Sequence, residues 1–96
     1  MAGVARKGDP GVPHCSPYVI MTGSTDVYVN GKPAARVGDV STVHLRPGGK
    51  FCVPHVAAIL TGSTSVFVNG KPIARQGSIL GGCTMIALGS TDVNAG

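Results

Sequence analysis

The sequence predicts an all-β domain made of a threefold repeat of short hairpins, and three observations predict it. First, the stretch Asp26-Val27-Tyr28-Val29-Asn30-Gly31-Lys32-Pro33-Ala34-Ala35-Arg36-Val37-Gly38-Asp39 has a near twin 39 residues on, from Ser65 to Ser78. Second, two markers alternate three times along the chain. Third, Gly and Pro fall as punctuation between runs rich in β-formers, in a chain that is 43% hydrophobic and only 12% charged, a balance that excludes disorder by composition.

The twins come first. Each sets Asn-Gly between two short runs, and both residues tolerate the positive φ that a two-residue type I′ turn demands. Both therefore read as β-hairpins. The markers extend the repeat. Ala5-Arg6-Lys7-Gly8-Asp9, Ala35-Arg36-Val37-Gly38-Asp39 and Ala74-Arg75-Gln76-Gly77-Ser78 share Ala-Arg-x-Gly-(Asp/Ser). Gly23-Ser24-Thr25, Gly62-Ser63-Thr64 and Gly89-Ser90-Thr91 form the second marker. Three units result, with the hairpins as the junctions between them and three sides about a common axis.

Between the markers the units differ in length: 18, 27 and 15 residues from Ala to Gly. Variable segments on a fixed scaffold are loops, where chemistry tends to sit. In unit two, Arg46-Pro47-Gly48-Gly49-Lys50 reads as a turn. The apolar runs before the second markers (Val19 to Met21, Ile59 and Leu60, Met85 to Leu88) read as equivalent strands converging on the axis to make a small core. With no Trp and 4% aromatics, that core is thin, and domains of this size often need a staple.

The loops supply one. His14 lies five residues after Asp9, His44 five after Asp39 and Cys83 five after Ser78. Equivalent positions converge about a threefold axis, so two imidazoles and a thiolate meet. His55, in Val53-Pro54-His55 echoing Val12-Pro13-His14, is the candidate fourth ligand. Three His and one Cys suit a closed, tetrahedral, structural zinc site. Cys15 and Cys52 have no counterpart at these offsets and read as small fillers or free thiols, with a disulfide between them left open. The odd number of Cys argues against a disulfide framework.

Other chemistries find little support. There is no Glu, and the four acids (Asp9, Asp26, Asp39 and Asp92) fall at repeat positions, where they read as turn or cap residues. No P-loop or dinucleotide fingerprint is present. The formal charge of +4 is dispersed, unlike the basic patch of a nucleic-acid binder. The N-terminus lacks the apolar run of a signal peptide, and no segment is long and apolar enough for a membrane helix.

Pro33-Ala34-Ala35-Arg36 with Val37-Gly38-Asp39, its variant Pro72-Ile73-Ala74-Arg75-Gln76-Gly77-Ser78, and the opening Val4-Ala5-Arg6-Lys7-Gly8-Asp9 resemble the PAAR-repeat family. The resemblance covers essentially the whole of residues 1–96, read as one PAAR-repeat domain without an effector extension. It implies a small cone with pseudo-threefold symmetry around a zinc held by three His and one Cys, here His14, His44, His55 and Cys83. The base of such a cone sits on a trimeric VgrG-like spike of a type VI secretion system, one chain per trimer. The implied role is structural, not enzymatic: the tip caps and sharpens the spike, aiding membrane puncture and effector delivery. Alternatives are an adaptor that mainly loads separate effector proteins, or the tip of a contractile phage tail spike. The expected partners are the spike, effectors and, transiently, the target membrane, with no nucleic acid. The expected location is the producing cell's cytoplasm, then export by the machine without a signal peptide. Ile73 for Ala and Ser78 for Asp depart from the motif without disturbing the fold it implies.

Overall fold

The computed structural model describes residues 2–13, 15–48, 51–82 and 84–96. These hold eight strands and no helix: β1 (Ala2–Gly3), β2 (Tyr28–Val29), β3 (Lys32–Pro33), β4 (His44–Gly48), β5 (Phe51–His55), β6 (Phe67–Val68), β7 (Lys71–Pro72) and β8 (Asn94–Ala95). All four sheets are antiparallel pairs: β2 with β3, β6 with β7, β4 with β5, and β1 with β8.

The Asn-Gly turns form as the sequence predicts. Asn30 and Asn69 have φ of 53° and 55°, and Gly31 and Gly70 have 77° and 76°, the left-handed values of a type I′ turn. The third hairpin has no turn of its own. β1 and β8 supply its two strands, with Ala2 opposite Ala95 and Gly3 opposite Asn94. The repeat is thus closed into a circle by the two ends of the described chain.

Closure recurs at two further levels. The Ala-Arg segments make a triangle of backbone bonds, in which Ala5 N–H donates to Ala74 O, Ala74 N–H to Ala35 O, and Ala35 N–H to Ala5 O, at 2.9, 2.9 and 3.0 Å. Bridges join Arg6 to Ala34, Arg36 to Ile73 and Val4 to Arg75, completing the cycle. Only a side chain as small as Ala fits where three backbones meet, and Ala5, Ala35 and Ala74 are fully buried. The next level is a ring of six segments, through the pairs Pro10–Val19, Ile20–Ser41, Val40–Ala58, Ile59–Leu80, Ile79–Met85 and Gly11–Ile86. A closed ring has no free edge on which another chain can add.

The core follows the axis. One apolar cluster (Val4, Val29, Ala34, Val68, Ile73 and Ala95) lies among the three hairpins. The other joins the Ala triangle to Ile20, Ile59, Leu80, Ile86 and Tyr18 within the ring. Strand alternation decides which residues contribute: Ile20, Ile59 and Ile86 point inward, whereas Met21, Leu60 and Leu88 are exposed. The expected apolar runs therefore each give the core one large residue and not a whole triplet. The long insertion of unit two differs from the turn expected of it. Arg46, Pro47 and Gly48 continue β4, opposite Val53, Cys52 and Phe51 of β5, and Gly49 and Lys50 lie outside the described residues. The molecule measures 40 × 23 × 23 Å, long on one axis and equal on the others, as a threefold body requires.

Each corner of the triangle carries a turn of the form Arg-x-Gly-(Asp/Ser). Gly8, Gly38 and Gly77 have φ of 93°, 95° and 90°, open to glycine and strained for other residues. In the first two corners the Asp side chain accepts from the Arg amide and is gripped by the Arg guanidinium, Arg6 to Asp9 and Arg36 to Asp39, each pair at 2.9 Å. The expected turn role of these two acids is what the structure shows.

Candidate metal centre

β4 opens on His44 and β5 closes on His55, and the register sets the two directly opposite each other where the hairpin leaves the ring. Opposed residues of an antiparallel pair project to the same face. Their Nε2 atoms lie 2.7 Å apart, with the rings edge to face at a centroid distance of 4.3 Å. His44 is buried, and its Nδ1 donates to Thr42 O at 2.8 Å. A carbonyl can only accept, so the proton is on Nδ1 and the Nε2 lone pair faces His55. An imidazole anchored through Nδ1 to a carbonyl is the arrangement by which proteins aim histidine at a metal.

Tyr18 completes the support, and sequence reading missed it. Its ring stacks on His44 at 4.0 Å between centroids and 14° between planes. Its hydroxyl lies 2.8 Å from Thr84 Oγ1, which in turn donates to Val12 O. Tyr18 thereby ties units one, two and three together under His44. The ring also lies against Gly11, where any Cβ would fall within about 2.0 Å of the Tyr18 Cζ atom. The scarcity of aromatics, two Tyr and two Phe in the sequence, was the available signal.

The other two predicted ligands, His14 and Cys83, lie outside the described residues. Their chain neighbours are described. Thr84 meets Tyr18 beneath His44. Cys15 donates its amide to Leu45 O at 3.3 Å, and Ser16 Oγ accepts from Leu45 N–H at 2.9 Å. Cys15 and Ser16 (loop one) are thus laid along β4 at Leu45, the residue after His44. Cys15 is also joined to Cys52 of β5 by a disulfide spanning 37 positions, which corrects the reading of both as fillers or free thiols and of the odd Cys count as an argument against bridges. Two of the four candidate ligands are therefore together, and they fit zinc in their chemistry: two imidazole nitrogens face each other, and His44 is anchored through its other ring nitrogen.

Charge is partitioned along the same axis. All four acids sit in the corners, and residues 40–58 contain none. In the corners, Asn69 and Ser24 hold the Asp26 carboxyl below its ordinary value by hydrogen bonding, and Asn30 and Ser90 do the same for Asp92. The metal candidates have no carboxylate competitor among the described residues around them.

Residues 2–43 match the family model of the PAAR motif. The chain carries a PAAR motif. The match takes in the first two Ala-Arg segments and the first Asn-Gly hairpin, and the third Ala-Arg segment pairs with both in the closed triangle. PAAR proteins are in general spike-tip proteins of type VI secretion systems, a structural family. No curated protein matches the chain.

Proposed function

We infer that this PAAR chain is a zinc-stapled tip that caps and sharpens the trimeric VgrG-like spike of a type VI secretion system. The observation that carries the reading is the meeting of His44 Nε2 and His55 Nε2 at 2.7 Å, with His44 fixed in the tautomer a metal requires. His14 and Cys83 are the residues proposed to complete the set. When bound, zinc would supply a closed structural cross-link with no open position for an activated water. The chain's own part is orientation: Thr42 O sets the tautomer, Tyr18 fixes the ring plane, and the register holds His55 opposite.

The shape supports the mechanical half of the proposal. A threefold body fits a threefold spike with one chain per trimer, and the β4–β5 hairpin, the longest of the described pairs, belongs to one unit alone. Zinc would pin the loops from which that hairpin rises. Effectors would ride on the spike assembly, and the chain would pass from the producing cell's cytoplasm with the machine.

Elemental analysis of the purified chain tests the metal. About one zinc per chain is expected, lost in His44→Ala and in Cys83→Ala. Zinc retained by both variants would overturn the site. A cognate spike trimer mixed with the chain at near-stoichiometric amounts should give a complex of one chain per trimer on sizing. Separate elution would overturn the capping role.

A further inference from the structure

The Cys15–Cys52 bridge belongs to no repeat position and to no ligand set. Both cysteines are exposed, so an external thiolate or disulfide can reach either sulfur. Their placement is specific. Cys15 follows His14 in sequence, and Cys52 stands on β5 three residues before His55. The bridge joins loop one to the hairpin that carries His44 and His55. Without it, the described ties between Cys15–Ser16 and β4 are two hydrogen bonds, both to Leu45.

We propose that Cys15 and Cys52 form a reversible thiol–disulfide exchange site that clamps the metal-bearing loops, open as a dithiol where the chain is made and closed once it meets an oxidising compartment. The proposal rests on the zinc and export reading above. On the export reading above, the chain is made in a reducing cytoplasm, where thiols persist, and disulfides persist outside it. The co-reactant is a small-molecule or protein disulfide. One Cys thiolate attacks a sulfur of that disulfide, forming a mixed disulfide and releasing one thiol. The second Cys thiolate then attacks the bonded Cys sulfur, forming the Cys15–Cys52 bond and expelling the other thiol. Two electrons and two protons pass from the pair to the external disulfide, which leaves as two thiols.

The dithiol state leaves loop one able to lift from β4, which gives zinc a way in. The disulfide state removes that freedom, so zinc already held has no easy way out. Covalent closure of a long loop restricts the open state far more than two exposed hydrogen bonds do.

The full chain, loaded with zinc, is oxidised with glutathione disulfide or reduced with a phosphine, and zinc release to a chromophoric chelator is followed. Release is expected to be roughly tenfold slower from the oxidised chain, the scale on which supporting contacts alter metal retention. Cys15→Ser/Cys52→Ser should release at the reduced rate under both conditions. Amide exchange of Cys15 and Leu45, read in wild-type chain with and without zinc, should quicken on reduction. Equal release rates in the two redox states overturn the clamp. If the chain holds no zinc in either state, the metal reading fails, and exchange alone then decides: quickening on reduction upholds the clamp, and unchanged exchange overturns it.

Discussion

The three corners of the triangle follow one plan with different parts. At the first, Arg6 grips Asp9 and reaches Asn30 Oδ1, whose amide donates to Asp92. At the second, Arg36 grips Asp39 and reaches Asn69 Oδ1, whose amide donates to Asp26. At the third, Ser78 replaces the gripped Asp, Gly96 stands in place of the Asn, and Ser65 replaces the second Asp. Arg75 there reaches Ala95 O at 3.5 Å. The replacements are mutually consistent: where no Asn amide donates, no carboxylate waits for it. Two corners therefore carry two acids and one Arg each, and the third carries an Arg with no acid. What all three retain is backbone: the triangle bonds, the Gly turn, and a buried Ser. The fold needs the backbone scheme three times and the ion pair only twice.

The sharpest break of that comparison removes what the second corner has and the third lacks. Asp39→Ala deletes the grip of a largely buried Arg36, the acceptor for the Arg36 amide and the partner of Thr22 Oγ1. It should cost about 3 kcal/mol in urea unfolding. The pH dependence has a definite sign. Burial alone would push the Asp39 carboxyl up, but bonds from Arg36, Thr22 and the Arg36 amide outweigh it and hold the group below its ordinary value. A lowered folded value means that the contribution is complete above about pH 4 and is lost as pH falls through the folded value. The variant should accordingly show a flatter acid limb than wild type. An equally steep limb would assign acid sensitivity to other groups.

A smaller effect should be shared by all corners. Ser24, Ser63 and Ser90 are buried, and each Oγ accepts from the amides two and three residues on, as with Asp26 and Val27 for Ser24. Alanine at any of them leaves those donors unpaired and should cost about 1–2 kcal/mol. Similar losses for Ser24→Ala and Ser63→Ala, measured by urea midpoint, would show that the backbone scheme is worth the same with and without the ion pair. A much larger loss at Ser63 would show that the third corner depends on its Ser in place of the missing pair.

The sequence carried this scaffold because repetition makes it visible. Asn-Gly at 30–31 and 69–70 marked two turns, and the Ala-Arg-x-Gly marker gave three segments that do pair in a cycle. The third hairpin was hidden because its strands, β1 and β8, stand at opposite ends of the chain, and no turn motif joins them. At the candidate site the equal offsets of His14, His44 and Cys83 pointed to the loops, and the structure brings His44 and His55 together. Tyr18 and the Cys15–Cys52 bridge occur once each, so periodicity had nothing to compare them with. A repeat reports the frame; what departs from it has to be seen in space.

The same comparison can be sharpened by giving the third corner what it lacks. Ser78 already accepts from Arg75 N–H through Oγ at 3.0 Å, and Thr61 Oγ1 already accepts from Ile79 N–H, as Thr22 does from Val40. Ser78→Asp would put a carboxylate where Arg75 can grip it and Thr61 can donate to it. Gly96 stands where an Asn side chain would fix the far side of the guanidinium, so the gain should be modest, about 0.5 kcal/mol. It should appear as a small rise in urea midpoint above pH 5 that shrinks in high salt, since the new pair is partly solvated. A loss of stability instead would mean that the third corner, with Gly96 and Ser65 at its other two positions, is packed around a neutral side chain and cannot take a charge.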